Sequence, residues 1–127
     1  MFDILSPDHY YKDIFSINIE ELKKEGIKGI ICDIDNTIAP YKKNIIHQEV
    51  KDWFINIKNK DVKICLVSNS LGKRVEFFRN RLQVPAVGKA IKPRKQAYKK
   101  AINILNLNKE KIAVIGDQIF TDILGGN

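Results

Sequence analysis

The sequence predicts an α/β fold, a doubly wound parallel sheet with helices on both faces. Three observations carry that expectation. Compact apolar runs recur at IKGIIC (27–32), VKICLV (62–67) and KIAVIG (111–116). The stretches between them place apolar residues at helical spacing. Each run gives way to a polar residue: Asp33, Ser68 or Asp117. Strands buried on both faces read as continuous apolar runs rather than alternating ones. Strands separated by helices are joined in parallel by right-handed crossovers. In such sheets ligands bind beyond the carboxyl ends of the strands, so the polar residues that follow the runs should converge on one edge.

Taken in order, SINIEELKKEG (16–26) reads as a short capped helix before the first strand. Residues 1–26 are read as an N-terminal extension to a core over 27–127, all within one domain. In QEVKDWFINIKN (48–59), Val50, Trp53, Phe54 and Ile57 form one stripe, which makes Trp53 a core residue rather than a stacking platform. The strand at 62–67 ends on Ser68. GKRVEFFRNRLQ (72–83), with Leu71 before it, puts Leu71, Val75, Phe78 and Leu82 on one helix face, and Ser70 is placed as its N-cap. VPAVGKAI (84–91) holds a short strand. RKQAYKKAINIL (94–105) carries Ala97, Ala101, Ile104 and Leu105 on one face, behind Pro93 in a position that a first helical turn accepts. The run 111–116 is the last strand and leads into Asp117.

The chain has 127 residues, 44% of them hydrophobic, enough for one ordinary core. No apolar run is long enough to span a bilayer. The start, MFDILSPDHYYKDIF, lacks the basic region and apolar run of a secretory signal, so a cytoplasmic location is expected. Cys32 and Cys65 lie inside apolar runs and are read as buried free thiols. The net charge is +7, with basic residues between Lys89 and Lys111 and at Lys73, Arg74, Arg79 and Arg81. A positive field favours anionic ligands, but solvated helix faces account for most of these side chains. They are not interleaved with aromatics, which speaks against nucleic acid. His9 and His47 are read as surface or packing residues. Tyr10, Tyr11 and Phe15 are compatible with a cleft lining or an interface.

CDIDNTI (32–38) sets two carboxylates, Asp33 and Asp35, and the Thr37 hydroxyl just past a buried strand. GDQIFTD (116–122) adds Asp117 and Asp122 past another, close enough in sequence for a short turn to bring both to the cleft. Acids at strand ends also serve as plain turn formers. Several carboxylates on one edge, however, repel one another unless protonated or bridged by a cation. A hard divalent ion resolves that conflict, and Mg²⁺ suits a few carboxylates, a carbonyl, waters and a phosphate. Ser68 and Asn69, between a strand and a helix, offer hydroxyl, amide and backbone N–H groups to an anion. Lys92, in AIKPRK (90–95), supplies positive charge against charge developing on a transferred group. Singly, Ser68 and Asn69 read as helix caps and Lys92 as a solvated lysine. The combination is what points to phosphate chemistry.

These four segments resemble the haloacid dehalogenase (HAD) superfamily of phosphatases. Asp33, Asp35 and Thr37 match its Asp-x-Asp-x-Thr motif, Ser68 its strand-ending Ser or Thr, and Lys92 its Lys before a helix. Gly116, Asp117 and Asp122 match its Gly-Asp-x-x-x-x-Asp. CDIDNTI, LVSNS, KPRK, GDQIFTDILGGN and the N-terminal LSPDHYYKDIFSINIEELKKEGIKGII further resemble subfamily IIIA, the YqeG-like group, which is similar to the mitochondrial phosphatidylglycerophosphatases. The resemblance implies a Mg²⁺-dependent phosphomonoester hydrolase. Asp33 is then the nucleophile that forms an aspartyl-phosphate, and Asp35 the acid that protonates the leaving alcohol and later the base for water. Thr37 holds the first loop. Ser68 and Lys92 bind the phosphoryl oxygens, with Asn69 beside them. The metal ligands implied are Asp33, Asp35 through its backbone carbonyl, and Asp117, supported by Asp122.

Members of that superfamily often carry a cap domain after the first motif or between the second and third. Here neither interval has room for one, so a capless, open cleft is expected. Such a cleft favours a large phosphorylated substrate over a small metabolite, and the basic balance is compatible with an anionic lipid surface. Phosphatidylglycerophosphate is the specific expectation from the resemblance. The superfamily usually continues past the fourth motif with another strand and helix. An end at GGN therefore implies either truncation or an exposed sheet edge. Two other readings remain. A receiver-type phosphoacceptor domain would carry its acceptor Asp after a middle strand, where VKICLVSNS has Ser and Asn. A non-catalytic scaffold binding a membrane or a partner would keep the fold without turnover.

Overall fold

The apolar runs pair into one sheet. The computed structural model describes residues 14–35, 37–40, 42–68, 72–88, 94–116 and 121–123. After a 3₁₀ turn at Ile14–Ser16 come α1 (Ile19–Lys24), β1 (Gly29–Asp33), α2 (Gln48–Asn59), β2 (Lys63–Val67), α3 (Gly72–Leu82) and β3 (Ala86–Val87). Then follow α4 (Arg94–Leu105), a second 3₁₀ turn at Lys109–Lys111, β4 (Ile112–Ile115) and β5 (Thr121–Ile123). The strand order is β3-β2-β1-β4-β5. The first four strands run parallel, as the alternation of strand and helix requires.

The fifth strand departs from the expectation. The sheet was expected to be parallel throughout, but β5 runs antiparallel to β4, with Ile115 opposite Thr121 and Val114 opposite Asp122. The side of β4 away from β1 is therefore paired over these residues.

Strand alternation divides the core into two layers. Ile30, Cys32, Ile64, Leu66, Ala113 and Ile115 face one side, under α1, α2 and α3. Ile31, Cys65, Val67 and Val114 face the other, where α4 packs through Ala97, Ala101 and Leu105. The α2 stripe is buried as expected, Trp53 included. In α4 the stripe leans the other way: Tyr98 and Ile102 flank the contact line, and Ile104, expected inside, is 40% exposed. Successive residues step by 100° around a helix, so a line through 97, 101 and 105 admits one flank and turns the other to solvent.

Local chemistry sets the element ends. Asn18 accepts the Glu21 N–H at 3.1 Å and caps α1. The helix closes with Ile27 N–H on Leu22 O and Gly26 N–H on Lys23 O, both at 3.0 Å. That pairing needs a left-handed residue at position 26, and Gly26 supplies it at φ +90. From α2, Lys58 Nζ donates to Leu82 O and Gln83 O at 2.7 and 2.8 Å, closing the carboxyl end of α3 with a positive charge. Among the described residues no helix is long and apolar enough to cross a membrane.

Candidate active site

The sheet register brings the first, second and fourth motifs to one edge. Asp33 is the last residue of β1 and pairs with Val67, the residue before Ser68. On the other side Cys32 pairs with Ile115, which sets Asp33 level with Gly116. A methyl group added to Gly116 would stand 3.7 Å from Asp33 Oδ2. The carboxylate therefore leans over the start of the loop that carries Asp117. Neighbouring strands lie about 4.8 Å apart, so Ser68, Asp33 and Gly116, at the ends of β2, β1 and β4, stand in one short row. Ser68 is buried, and its N–H donates to Val87 O at 2.9 Å, which fixes it between β2 and β3.

By alternation Asp33 shares a face with Ile31, the face that α4 covers. Since β3 and β4 are parallel, α4 runs back against them and starts, at Arg94, at this same edge. Lys92 precedes that start but lies outside the described residues, as do Asn69, Ser70, Pro93 and Asp117. Asp122 is placed by its backbone on β5, opposite Val114 and two residues below Gly116 on β4.

Asp35 has a partner that the sequence reading missed. Arg74, read there as one of many solvated basic residues, is buried in the first turns of α3. Its Nη2 donates to Asp35 Oδ1 at 2.5 Å and to Pro40 O at 3.3 Å, and its Nη1 to Asn44 Oδ1 at 2.7 Å and to Lys43 O. The guanidinium carbon also lies 4.9 Å from the centre of the Phe78 ring. A signal was present: Arg74 falls three residues after Leu71 and four before Phe78, on the apolar stripe itself. Lys42 N–H gives Asp35 Oδ1 a second bond at 3.1 Å.

Thr37 N–H closes a turn on Ile34 O at 3.2 Å in the loop after β1. Its hydroxyl is buried without a hydrogen-bond partner among the described residues. It borders an open, largely apolar groove with Ile14, Phe15, Ile38, Pro40 and His47. His47 is exposed and precedes α2 without a side-chain capping bond.

Both cysteines are buried free thiols on opposite faces of the sheet, so they are not placed to bridge each other. Burial, and then the charge of Asp33, pushes the Cys32 thiol well up. Burial pushes Cys65 up to about 12. Neither is a reactive thiolate near neutral pH.

For a divalent metal, the described residues contain no cluster of three or more His, Cys, Asp or Glu side chains. They do contribute hard oxygens of the right kind: the Asp33 carboxylate against the 116 loop, and the backbone carbonyl of Asp35, whose side chain is engaged by Arg74. Carboxylate and carbonyl oxygens at the mouth of a loop that carries a further Asp suit a hard cation.

The interval from Thr37 to Ser68 builds only a loop, α2 and β2, and that from Ser68 to Gly88 only α3 and β3 among the described residues. Among the described residues, then, neither interval places a cap over the edge. The order of strands corrects one argument about a receiver-type domain: β1, which bears Asp33, is the middle strand in space. Strand position therefore does not separate the two readings.

Comparison with known proteins does. A family model described as mitochondrial PGP phosphatase matches residues 3–127. The chain is 40% identical over 121 residues to "Probable phosphatase YqeG" of Bacillus subtilis, covering 95% of this chain and 70% of that protein. Among solved structures it is similar to the cobalt-bound form of the deoxy-D-mannose-octulosonate 8-phosphate phosphatase of Haemophilus influenzae, at 17% identity and a TM-score of 0.63, over 74% of this chain and 60% of that one. It is also similar to a structure assigned to HAD superfamily subfamily III A from Legionella pneumophila, at 22% identity and a TM-score of 0.57, over 77% of this chain and 59% of that one. At these identities the two structures speak for the fold, and the chain spans about 60% of their length.

Proposed function

Since this chain belongs to the mitochondrial PGP phosphatase family, within the HAD superfamily of phosphatases, we propose that it hydrolyses phosphomonoesters through an aspartyl-phosphate on Asp33, with Mg²⁺ in the site. The observation that supports this reading best is the Asp33 carboxylate leaning over the 116 loop at the carboxyl edge, 3.7 Å from where a Gly116 side chain would begin.

Asp33 attacks phosphorus in line: its oxygen forms the new P–O bond as the bond to the leaving alcohol breaks. Asp35 gives that oxygen a proton, and then takes one from the water that hydrolyses the acyl phosphate. Ser68, at the end of β2, and Lys92, ahead of α4, hold the phosphoryl oxygens, with Asn69 beside them. Thr37 keeps the first loop in its turn. Asp33, the Asp35 carbonyl and Asp117 would hold the cation, with Asp122 in support. When bound, it neutralises charge between nucleophile and phosphate.

For substrate we propose a large or membrane-associated phosphomonoester such as phosphatidylglycerophosphate. The family and the uncapped edge support it, and the net charge of +7 suits an anionic surface. The test is a panel of phospholipid, phosphopeptide, sugar phosphate, nucleotide and aryl phosphate, each assayed with Mg²⁺ and with EDTA. Hydrolysis that EDTA abolishes and Mg²⁺ restores is the expected result, with the lipid among the best substrates. If detergent-dispersed phosphatidylglycerophosphate releases no phosphate while an aryl phosphate is cleaved, the lipid assignment is wrong. Asp33→Asn should remove activity and leave the fold intact. A scaffold would be indifferent to that change.

A further inference from the structure

We propose that Arg74 is a positioning residue for proton transfer: it holds the Asp35 carboxylate, and the loop behind it, in the geometry that the leaving group requires. The inference rests on the phosphatase reading above and deepens it.

Three features of the structure carry it. The guanidinium is buried, and its four donated bonds all land on one stretch, residues 35–44. A planar fork that meets a carboxylate, two carbonyls and an amide at once defines an orientation, which a point charge on a flexible stem would not. Next, the bonds from Arg74 and from Lys42 N–H converge on the same oxygen, Asp35 Oδ1. They restrain the carboxylate at that oxygen. Finally, Lys42 aims that N–H from a left-handed backbone, φ 59, a conformation that disfavours a residue bearing a Cβ. Strain of this kind persists where the surroundings over-determine it, and Arg74 bonds the carbonyls on both sides, Pro40 and Lys43.

Stability alone is a weak reason for this arrangement. A buried charge gives up its hydration, and an apolar side chain of similar volume often serves the fold as well or better. Set on the apolar stripe of α3, Arg74 instead ties the second-motif helix to the first-motif loop at the one side chain that must hand over a proton.

The chemistry offers a readout that a merely structural clasp would not move. When the bond between phosphorus and an alkyl oxygen breaks, that oxygen needs a proton from Asp35. A p-nitrophenolate leaves without one. A misaligned Asp35 therefore penalises alkyl esters selectively. The ratio of kcat/KM for glycerol phosphate to that for p-nitrophenyl phosphate isolates the effect, because kcat/KM ends at formation of the phosphoenzyme.

The experiment measures this ratio in the full chain with Mg²⁺ for wild type, Asp35→Asn, Arg74→Met, Arg74→Lys and Asp35→Asn/Arg74→Met, with circular dichroism as the check on folding. Loss of general acid catalysis is worth about 10²–10⁴ in rate. Arg74→Met is expected to lower kcat/KM on the alkyl ester at least about 10²-fold and on the aryl ester less than about 10-fold. Adding it to Asp35→Asn should change the ratio no further. Arg74→Lys should fall between wild type and Arg74→Met. If Arg74→Met does not fold, Arg74→Lys decides alone, by a selective loss on the alkyl ester. Equal losses on both esters, or none, overturn the inference while leaving the phosphatase reading in place. A wild-type protein that releases phosphate neither from these esters nor from detergent-dispersed phosphatidylglycerophosphate overturns both.

Discussion

The contact between Arg74 and Asp35 can be weighed apart from any activity. Their side chains are 10% and 18% exposed, so both ends of the pair are largely withdrawn from water. Removing one partner of a buried pair costs about 3–5 kcal/mol, because the other charge is left uncompensated. Here water reaches part of Asp35, which favours the lower end, about 3 kcal/mol for Arg74→Met. Methionine keeps an apolar stem over Phe78, so the loss is mainly polar. Asp35→Asn keeps the shape and a neutral acceptor and should cost about 1–2 kcal/mol. If the two groups interact as placed, the double variant loses less than the sum, by about 1–2 kcal/mol. Urea unfolding of all four proteins reads this as shifts in midpoint at constant slope. Additivity within about 0.5 kcal/mol would mean that the ion pair carries no coupling and that the reasoning about Arg74 is mistaken.

Two further predictions concern the fold. The Cys65 thiol titrates at about 12 in the folded protein, against about 8.5 when exposed in the unfolded chain. The folded state keeps its proton where the unfolded state releases one. The contribution is therefore complete below about pH 8.5 and is lost as pH rises toward 12, about 2 kcal/mol by pH 10. Denaturation under reducing conditions at pH 8 and pH 10 should show a shallower decline in Cys65→Ala than in wild type, and equal declines would contradict the burial argument. Gln83 follows α3 in the left-handed region, φ 54, with its N–H on Arg79 O at 2.8 Å. Gln83→Gly removes the Cβ strain while keeping that bond, and should raise stability by about 0.5–1 kcal/mol. A lower unfolding midpoint would show that the side chain contributes packing that the backbone argument ignores.

The parts of the molecule that were legible in the sequence are those governed by local pattern. Apolar runs became the central strands because burial on both faces leaves no polar register to preserve. The stripe of Val50, Trp53, Phe54 and Ile57 defined α2 over the span expected. The convergence of Asp33 and Ser68 followed from topology, since parallel strands put all their carboxyl ends on one side. What was missed depends on partners distant in sequence. β5 has three residues and exists through its pairing with β4, so no periodicity announces it. Arg74 looks like a surface arginine until its acceptors are known, and those lie 30 to 39 residues away. Ile104 fell on the solvent side because the tilt of a helix across a sheet is a tertiary property.

The proposed reaction requires phosphorus to become bonded to the side chain at position 33. Acid quenching during turnover of an aryl phosphate with Mg²⁺, followed by peptide mass spectrometry, reads that bond directly. One phosphoryl group on the peptide that contains Asp33, and none in Asp33→Asn, is the result predicted. A phosphoryl group on another residue, or turnover that continues undiminished in Asp33→Asn, would contradict it.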